Sequence, residues 1–140
     1  MSDVKELARR LAEELVKRAE FVEKLARDPV PEITRKDFDA IMKENKVVVL
    51  YFTADWCGPC ISFLETFRDV ALTLARPGVV FARVDVDRSY SLADRFSIQH
   101  IPTIAIFRDG KLVETILGQT SRDELIRIIK SHMKVEGIAV

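Results

Sequence analysis

The only two cysteines in the chain stand three residues apart, in Asp55-Trp56-Cys57-Gly58-Pro59-Cys60, where a strand-like apolar run meets a helical pattern. That spacing and context suit a reversible dithiol, and the rest of the chain reads as its scaffold. A Cys-x-x-Cys whose second half opens a helix sets the first sulfur near unpaired backbone N–H groups and the positive end of the helix dipole. Both favour thiolate over thiol. Cys57 is therefore expected to be the nucleophile and Cys60 the resolver. Gly58 is expected to let the backbone turn tightly. Pro59 suits a first helical turn, where its missing N–H has no intrahelical partner to lose. The bland alternative is a pair of inert buried thiols, and the strand–turn–helix context with Gly-Pro between the sulfurs weighs against it.

Length and charge narrow the remaining classes. A chain of 140 residues holds one domain with one substantial core. Its 22 basic and 22 acidic residues balance without a basic or acidic block, so neither nucleic acid nor an anionic membrane is expected as a partner. A closed zinc site needs about four ligands, whereas this chain adds only His100 and His132 to its cysteines. Redox chemistry is favoured over metal, and no cofactor is expected. The first thirty residues lack a signal-peptide core, and no apolar run approaches the ~20 residues of a membrane span, so a soluble, cytoplasmic protein is expected. A single Asn (Asn45) and two Gln (Gln99 and Gln119) against many charged residues resemble the balance of proteins from hot environments.

Taken in order, the chain opens with Val4, Leu7, Ala8, Leu11, Leu15, Ala19, Val22, Leu25 and Ala26 at three- and four-residue steps. They predict one amphipathic helix over about 3–27, an extension comprising residues 1–28. Its stripe has three fates: docking on its own domain, pairing with a second chain as a homodimer, or receiving another partner. Asp28-Pro29-Val30-Pro31 stops the helix. Thr34 and Asp37 then resemble a shortened capping box for a helix through about Glu44. Val47 to Thr53 is a nearly continuous apolar, β-branched run, as expected of a strand covered on both faces, and it delivers the cysteines at its carboxyl end. A helix over 59–75, a strand over 79–86 and a short helix over 89–96 follow. Helical crossovers imply parallel strands, whose active groups gather beyond the carboxyl ends. Residues 103–108 and 111–117 around Asp109-Gly110 predict a hairpin. Gly118 ends it, and Ser121 with Glu124 predicts a capping box for a last helix through Met133. The fold class is α/β, with the main domain over 29–134 and a tail over 135–140.

Phe52 to Cys60, Val84-Asp85-Val86-Asp87, Ile101-Pro102-Thr103, the Asp109-Gly110 turn and Gly118 together resemble, in order and spacing, the thioredoxin pattern. The resemblance covers about residues 32–133 and implies a thioredoxin fold, a central mixed parallel and antiparallel sheet flanked by helices. It implies reduction of disulfides in other proteins, Cys57 attacking and Cys60 releasing the product, with a thioredoxin reductase to recharge the pair. It implies a cis Pro102 beside the sulfurs, and a substrate groove lined by Trp56, Gly58, Pro59, Ile101, Pro102 and Gly118. An extended peptide in that groove is expected to bond to backbone next to Pro102. The departures are specific. Tyr51 stands where thioredoxins carry a buried Asp, Arg83 where they carry a Lys, Thr53 for a second Trp, Ile61 for a Lys and Glu65 for a Pro. Tyr51 is expected to fill core with one hydrogen-bond partner, Arg83 to pair with a nearby acid, and His100 to lie on the surface near the groove. Two alternatives to a reductase stay open: a redox-sensing binding module of the same fold, and a disulfide oxidant or isomerase.

Overall fold

The computed structural model describes residues 2–133, so the expected tail 135–140 lies outside the described residues. Nine elements follow one another: α1 (Ser2–Arg27), α2 (Arg35–Glu44), β1 (Val47–Thr53), α3 (Gly58–Leu74), β2 (Val79–Asp85), α4 (Tyr90–Arg95), β3 (Thr103–Arg108), β4 (Lys111–Leu117) and α5 (Arg122–Met133). The strands form a sheet in the order β2-β1-β3-β4. β1 and β2 run parallel, joined by the α3 crossover, and β3 and β4 are antiparallel to their neighbours, which makes the expected mixed sheet. Asp109 and Gly110 both have positive φ, 52° and 80°, as a two-residue type I′ hairpin turn requires.

The continuous apolar run of β1 is explained by burial on both faces. Val47, Val49 and Tyr51 join α3 and α5 in one core cluster through Phe67, Val70 and Ile129. Val48, Leu50 and Phe52 join α2 and α4 in the other through Phe38, Ile41 and Leu92. A residue shift of one would exchange the two sets, so the register Tyr51↔Arg83 and Tyr51↔Ile104 is held by packing on both sides. The outer edge of β2 is closed by the connector after α1. Arg83 N–H donates to Pro31 O and Ile33 N–H to Arg83 O, both at 2.9 Å.

Capping is only partly as the sequence suggests. Asp37 accepts from Thr34 N–H at 3.1 Å. Ser121 Oγ accepts from Glu124 N–H at 3.1 Å, but the Glu124 carboxylate bonds to Arg127, so only half of the expected box forms.

α1 meets the domain along its carboxyl-terminal part. Phe21 packs on the α2–α4 cluster, Leu25 is half-buried, and Arg18–Glu44 and Lys24–Asp37 form ion pairs. At about 100° per residue the stripe of Val4, Leu11, Leu15 and Val22 lies roughly a quarter turn from Phe21 and Leu25. All four of its side chains are more than half exposed. The domain therefore takes the edge of the apolar face and leaves its centre open.

Candidate functional site

β1 ends at Thr53, and Ala54, Asp55 and Trp56 carry the chain to the start of α3. Cys57 is the N-cap of that helix. Its Sγ accepts the Cys60 N–H at 3.2 Å, its carbonyl accepts from Ile61 N–H, and its own N–H donates to Ala54 O. Cys57 and Cys60 are disulfide-bonded with Cα atoms 5.2 Å apart. Cys60 is completely buried, whereas Cys57 retains 5% exposure. Pro59 lies in the first helical turn, as expected. The tight-turn role expected of Gly58 is not what the backbone requires. Gly58 does not adopt a positive φ, and a Cβ there meets nothing within 4 Å, so its missing side chain leaves open space beside the sulfurs.

Three segments meet at the disulfide. Ile101 packs on the small cluster of Ala54, Cys57 and Cys60, and the Ile101–Pro102 peptide is cis. Pro102 is buried, and its carbonyl accepts the Gly118 N–H at 2.8 Å, which brings the end of β4 alongside. Gly118 has φ +72°, a left-handed conformation that favours glycine. Gln119 Nε2 then reaches Pro59 O at 3.1 Å and ties the same end to the first turn of α3. Trp56 is 70% exposed and donates its indole N–H to Asp87 at 2.8 Å. His100 is exposed, and its carbonyl accepts from the Thr103 hydroxyl.

Tyr51 lies beneath the pair, fully buried. It stacks on Phe67 with centroids 4.9 Å apart and donates its hydroxyl proton to Cys60 O at 2.7 Å. Burial pushes its phenol well above the ordinary tyrosine range, so it holds its proton at neutral pH. Arg83 faces away from the sulfurs toward Asp28, at 2.7 Å, and Val30 O. The acid partner expected for it is thus at the end of α1. Asp28 is raised by burial, but the bonds from Val30 N–H, Arg83 and Arg68 together hold it below the ordinary carboxylate range.

The thioredoxin family model matches residues 29–131. The chain belongs to the thioredoxin family. Thioredoxin from Chlamydia trachomatis is 38% identical over 86 residues, 61% of this chain and 82% of that protein. Thioredoxin H1 of Arabidopsis thaliana is 39% identical over 98 residues, 68% and 83% of the two chains. A mutant thioredoxin from Halobacterium salinarum superposes with a TM-score of 0.68 at 30% identity, covering 77% of this chain and 96% of its own. α1 lies outside the segment matched to the family. Family membership and a cysteine pair at disulfide distance make this chain a thiol–disulfide oxidoreductase, a protein-disulfide reductase. Thioredoxins act on disulfide substrates and are served by thioredoxin reductase. Among the described residues no helix is long and apolar enough to cross a membrane.

The charged groups around the loop were not legible as site residues. Asp87, which holds Trp56, and Arg88, which bonds Asp55, sit just past the carboxyl end of β2. Their signal is position alone: charged residues beyond the end of a parallel strand, next to the strand that delivers the cysteines.

Proposed function

We propose that Cys57 is the attacking sulfur and Cys60 the resolving one. The observation that carries this is the N-cap: Cys57 Sγ accepts a helix N–H and keeps residual exposure, whereas Cys60 is sealed. In the reduced protein the Cys57 thiolate attacks a substrate sulfur, the substrate S–S bond breaks, and the leaving thiolate takes a proton. Cys60 then loses its proton and attacks Cys57 Sγ, releasing the second substrate thiol. The Cys57–Cys60 disulfide remains and two electrons have passed to substrate. Trp56, Gly58, Pro59, Ile101, Pro102 and Gly118 form the groove for the substrate chain. This is supported by the contacts that gather Ile101, Pro102, Gly118 and Pro59 about the disulfide. Thioredoxin reductase supplies the electrons. Cytoplasmic residence fits a chain whose only two cysteines form the redox pair. Low Asn and Gln content fits a thermophilic source.

The test uses single variants against a protein disulfide with dithiothreitol as reductant. Cys57→Ser abolishes turnover, and Cys60→Ser accumulates a mixed disulfide through Cys57. Trapping by Cys57→Ser through Cys60 reverses the assignment.

The open stripe of α1 is the surface for a second copy of this chain. Acidic and basic side chains on α1 nearly balance, so it selects neither a charged membrane nor a partner of one sign, and a like helix meets its apolar centre. Sedimentation of the full chain and of Leu11→Glu/Leu15→Glu should give a dimer and a monomer. A monomeric full chain at tens of micromolar refutes the pairing.

A further inference from the structure

The turn after β2 grips the segment that leads into Cys57. Arg88 donates to Glu32 through Nε and Nη2 at 2.8 and 2.9 Å, and to Asp55 through Nη1 and Nη2 at 2.9 and 3.4 Å. Its Nη2 also lies 2.9 Å from Asp85 Oδ2, and its backbone N–H donates to the other oxygen of that carboxylate at 3.0 Å. One guanidinium thus joins three carboxylates from three segments: the connector, the cysteine loop and the end of β2. The residue before it, Asp87, accepts the Trp56 indole N–H. Both residues preceding Cys57 are therefore tied to one turn. The cluster borders a cavity of about 140 Å³ that Ile61 and Leu64 of α3 also line.

Stability does not account for such a clamp. The Asp55 and Arg88 side chains are 79% and 51% exposed, and pairs of that kind contribute only about 0–1 kcal/mol. Placement and charge are what it changes. Two residues of backbone span at most about 7 Å, less than the ~8–10 Å over which salt screens a charge, so an unpaired Asp55 carboxylate would act on a Cys57 thiolate. Beside Arg88 that carboxylate is held below its ordinary range by the guanidinium's hydrogen bond and charge. Of the other chargeable groups nearby, Glu32 and Asp85 share Arg88, Asp87 is bonded by Trp56, and Arg83 is turned to Asp28. Glu65 and His100 are exposed, and every variant below leaves both unaltered.

We propose that Arg88 is a positioning residue for the redox pair: it fixes Asp55 at the entry to α3 and masks its carboxylate, so that Cys57 forms its thiolate in a less negative setting. The proposal rests on the reading of Cys57 as the attacking sulfur. Because the thiolate is the nucleophile and its stabilisation favours the reduced form, losing Arg88 slows attack at neutral pH and makes the reduction potential more negative.

The experiment measures alkylation of the reduced full-length protein by iodoacetamide from pH 5 to 10, with the modified cysteine located by mass spectrometry, and the potential against a glutathione buffer. Arg88→Gln should raise the alkylation midpoint by about half a pH unit, the effect of one solvent-screened charge at this range. Adding Asp55→Asn to it should bring the midpoint back, and Arg88→Lys should retain most of the wild-type value. Asp55→Asn alone should leave the midpoint unchanged or lower it, a readout that stands even if Arg88→Gln folds poorly. A lower melting temperature with an unchanged midpoint, or a shift that Asp55→Asn does not reverse, overturns the proposal. First alkylation at Cys60 would instead overturn the assignment of Cys57, which the mapped site distinguishes.

Discussion

Replacing Tyr51 by Asp tests what the site gains from a tyrosine where its relatives carry an acid. Tyr51 is fully buried, stacks on Phe67 and donates to Cys60 O at 2.7 Å. Near pH 4 the introduced carboxyl is protonated in the folded protein, and the variant loses aromatic packing worth about 3–5 kcal/mol and a hydrogen bond worth about 1 kcal/mol. Above that pH the unfolded chain releases the proton while the buried carboxyl keeps it. The folded state then binds more protons, so stability falls as pH rises, by about 1.4 kcal/mol per unit until the folded group ionises. If ionisation comes near pH ~7, the added loss is about 4 kcal/mol, enough with the packing term to unfold a domain of ordinary stability. Tyr51→Phe is the control, expected to cost about 1 kcal/mol, or about 3 °C, with no pH dependence between 5 and 9. Urea unfolding of the oxidised proteins at unit steps from pH 4 to 9 gives all three curves. If the gap between Tyr51→Asp and wild type stays constant with pH, the introduced carboxylate is solvated and the reasoning from a dry site fails. At the alkaline end the wild type carries its own signature. Burial raises the Tyr51 phenol, so the wild type should lose stability above pH ~10, and Tyr51→Phe should not.

Other expectations follow from single contacts. Asp28→Asn should cost about 1–2 kcal/mol, because the residue takes bonds from Arg83, Arg68 and Val30 N–H. Its lowered pKa means the contribution is present above the unfolded carboxylate range and is lost as pH falls below about 4, so wild type and variant should converge in acid unfolding. Deleting residues 2–26 should cost about 2–4 kcal/mol, since Phe21 and Leu25 are the main apolar side chains through which α1 packs on the domain, and should leave the reduction rate per folded molecule unchanged. A deletion through residue 30 should be far worse, because it also removes Asp28 and the fully buried Val30, a difference that thermal melts resolve. Gly118→Ala should cost about 1 kcal/mol through its positive φ alone, as a Cβ there meets nothing within 4 Å; a loss above about 3 kcal/mol by urea unfolding would mean the surroundings also resist it.

By itself the sequence determined everything that follows from short-range chemistry. The two-faced burial of Val47 to Phe52, the Asp109-Gly110 turn and the placement of Cys57 at a helix start are local patterns whose period or turn geometry admits few alternatives. Tertiary structure decided whatever depends on which distant segments meet. The sequence predicts an acid for Arg83, but only the fold places Asp28 beside it, because the connector pairs along the open edge of β2. It predicts a hydrogen-bond partner for Tyr51, but only the crossing of α3 over β1 supplies Cys60 O. The capping box at Ser121 lost its acid to Arg127, where two local pairings compete for one carboxylate. The stripe of α1 was legible to the residue, yet its docking side was not, since periodicity locates an apolar face and says nothing of what stands next to it. The same reason hid Arg88. Its three carboxylates lie up to 56 positions away in the chain, and only packing brings Glu32, Asp55 and Asp85 within reach of one guanidinium.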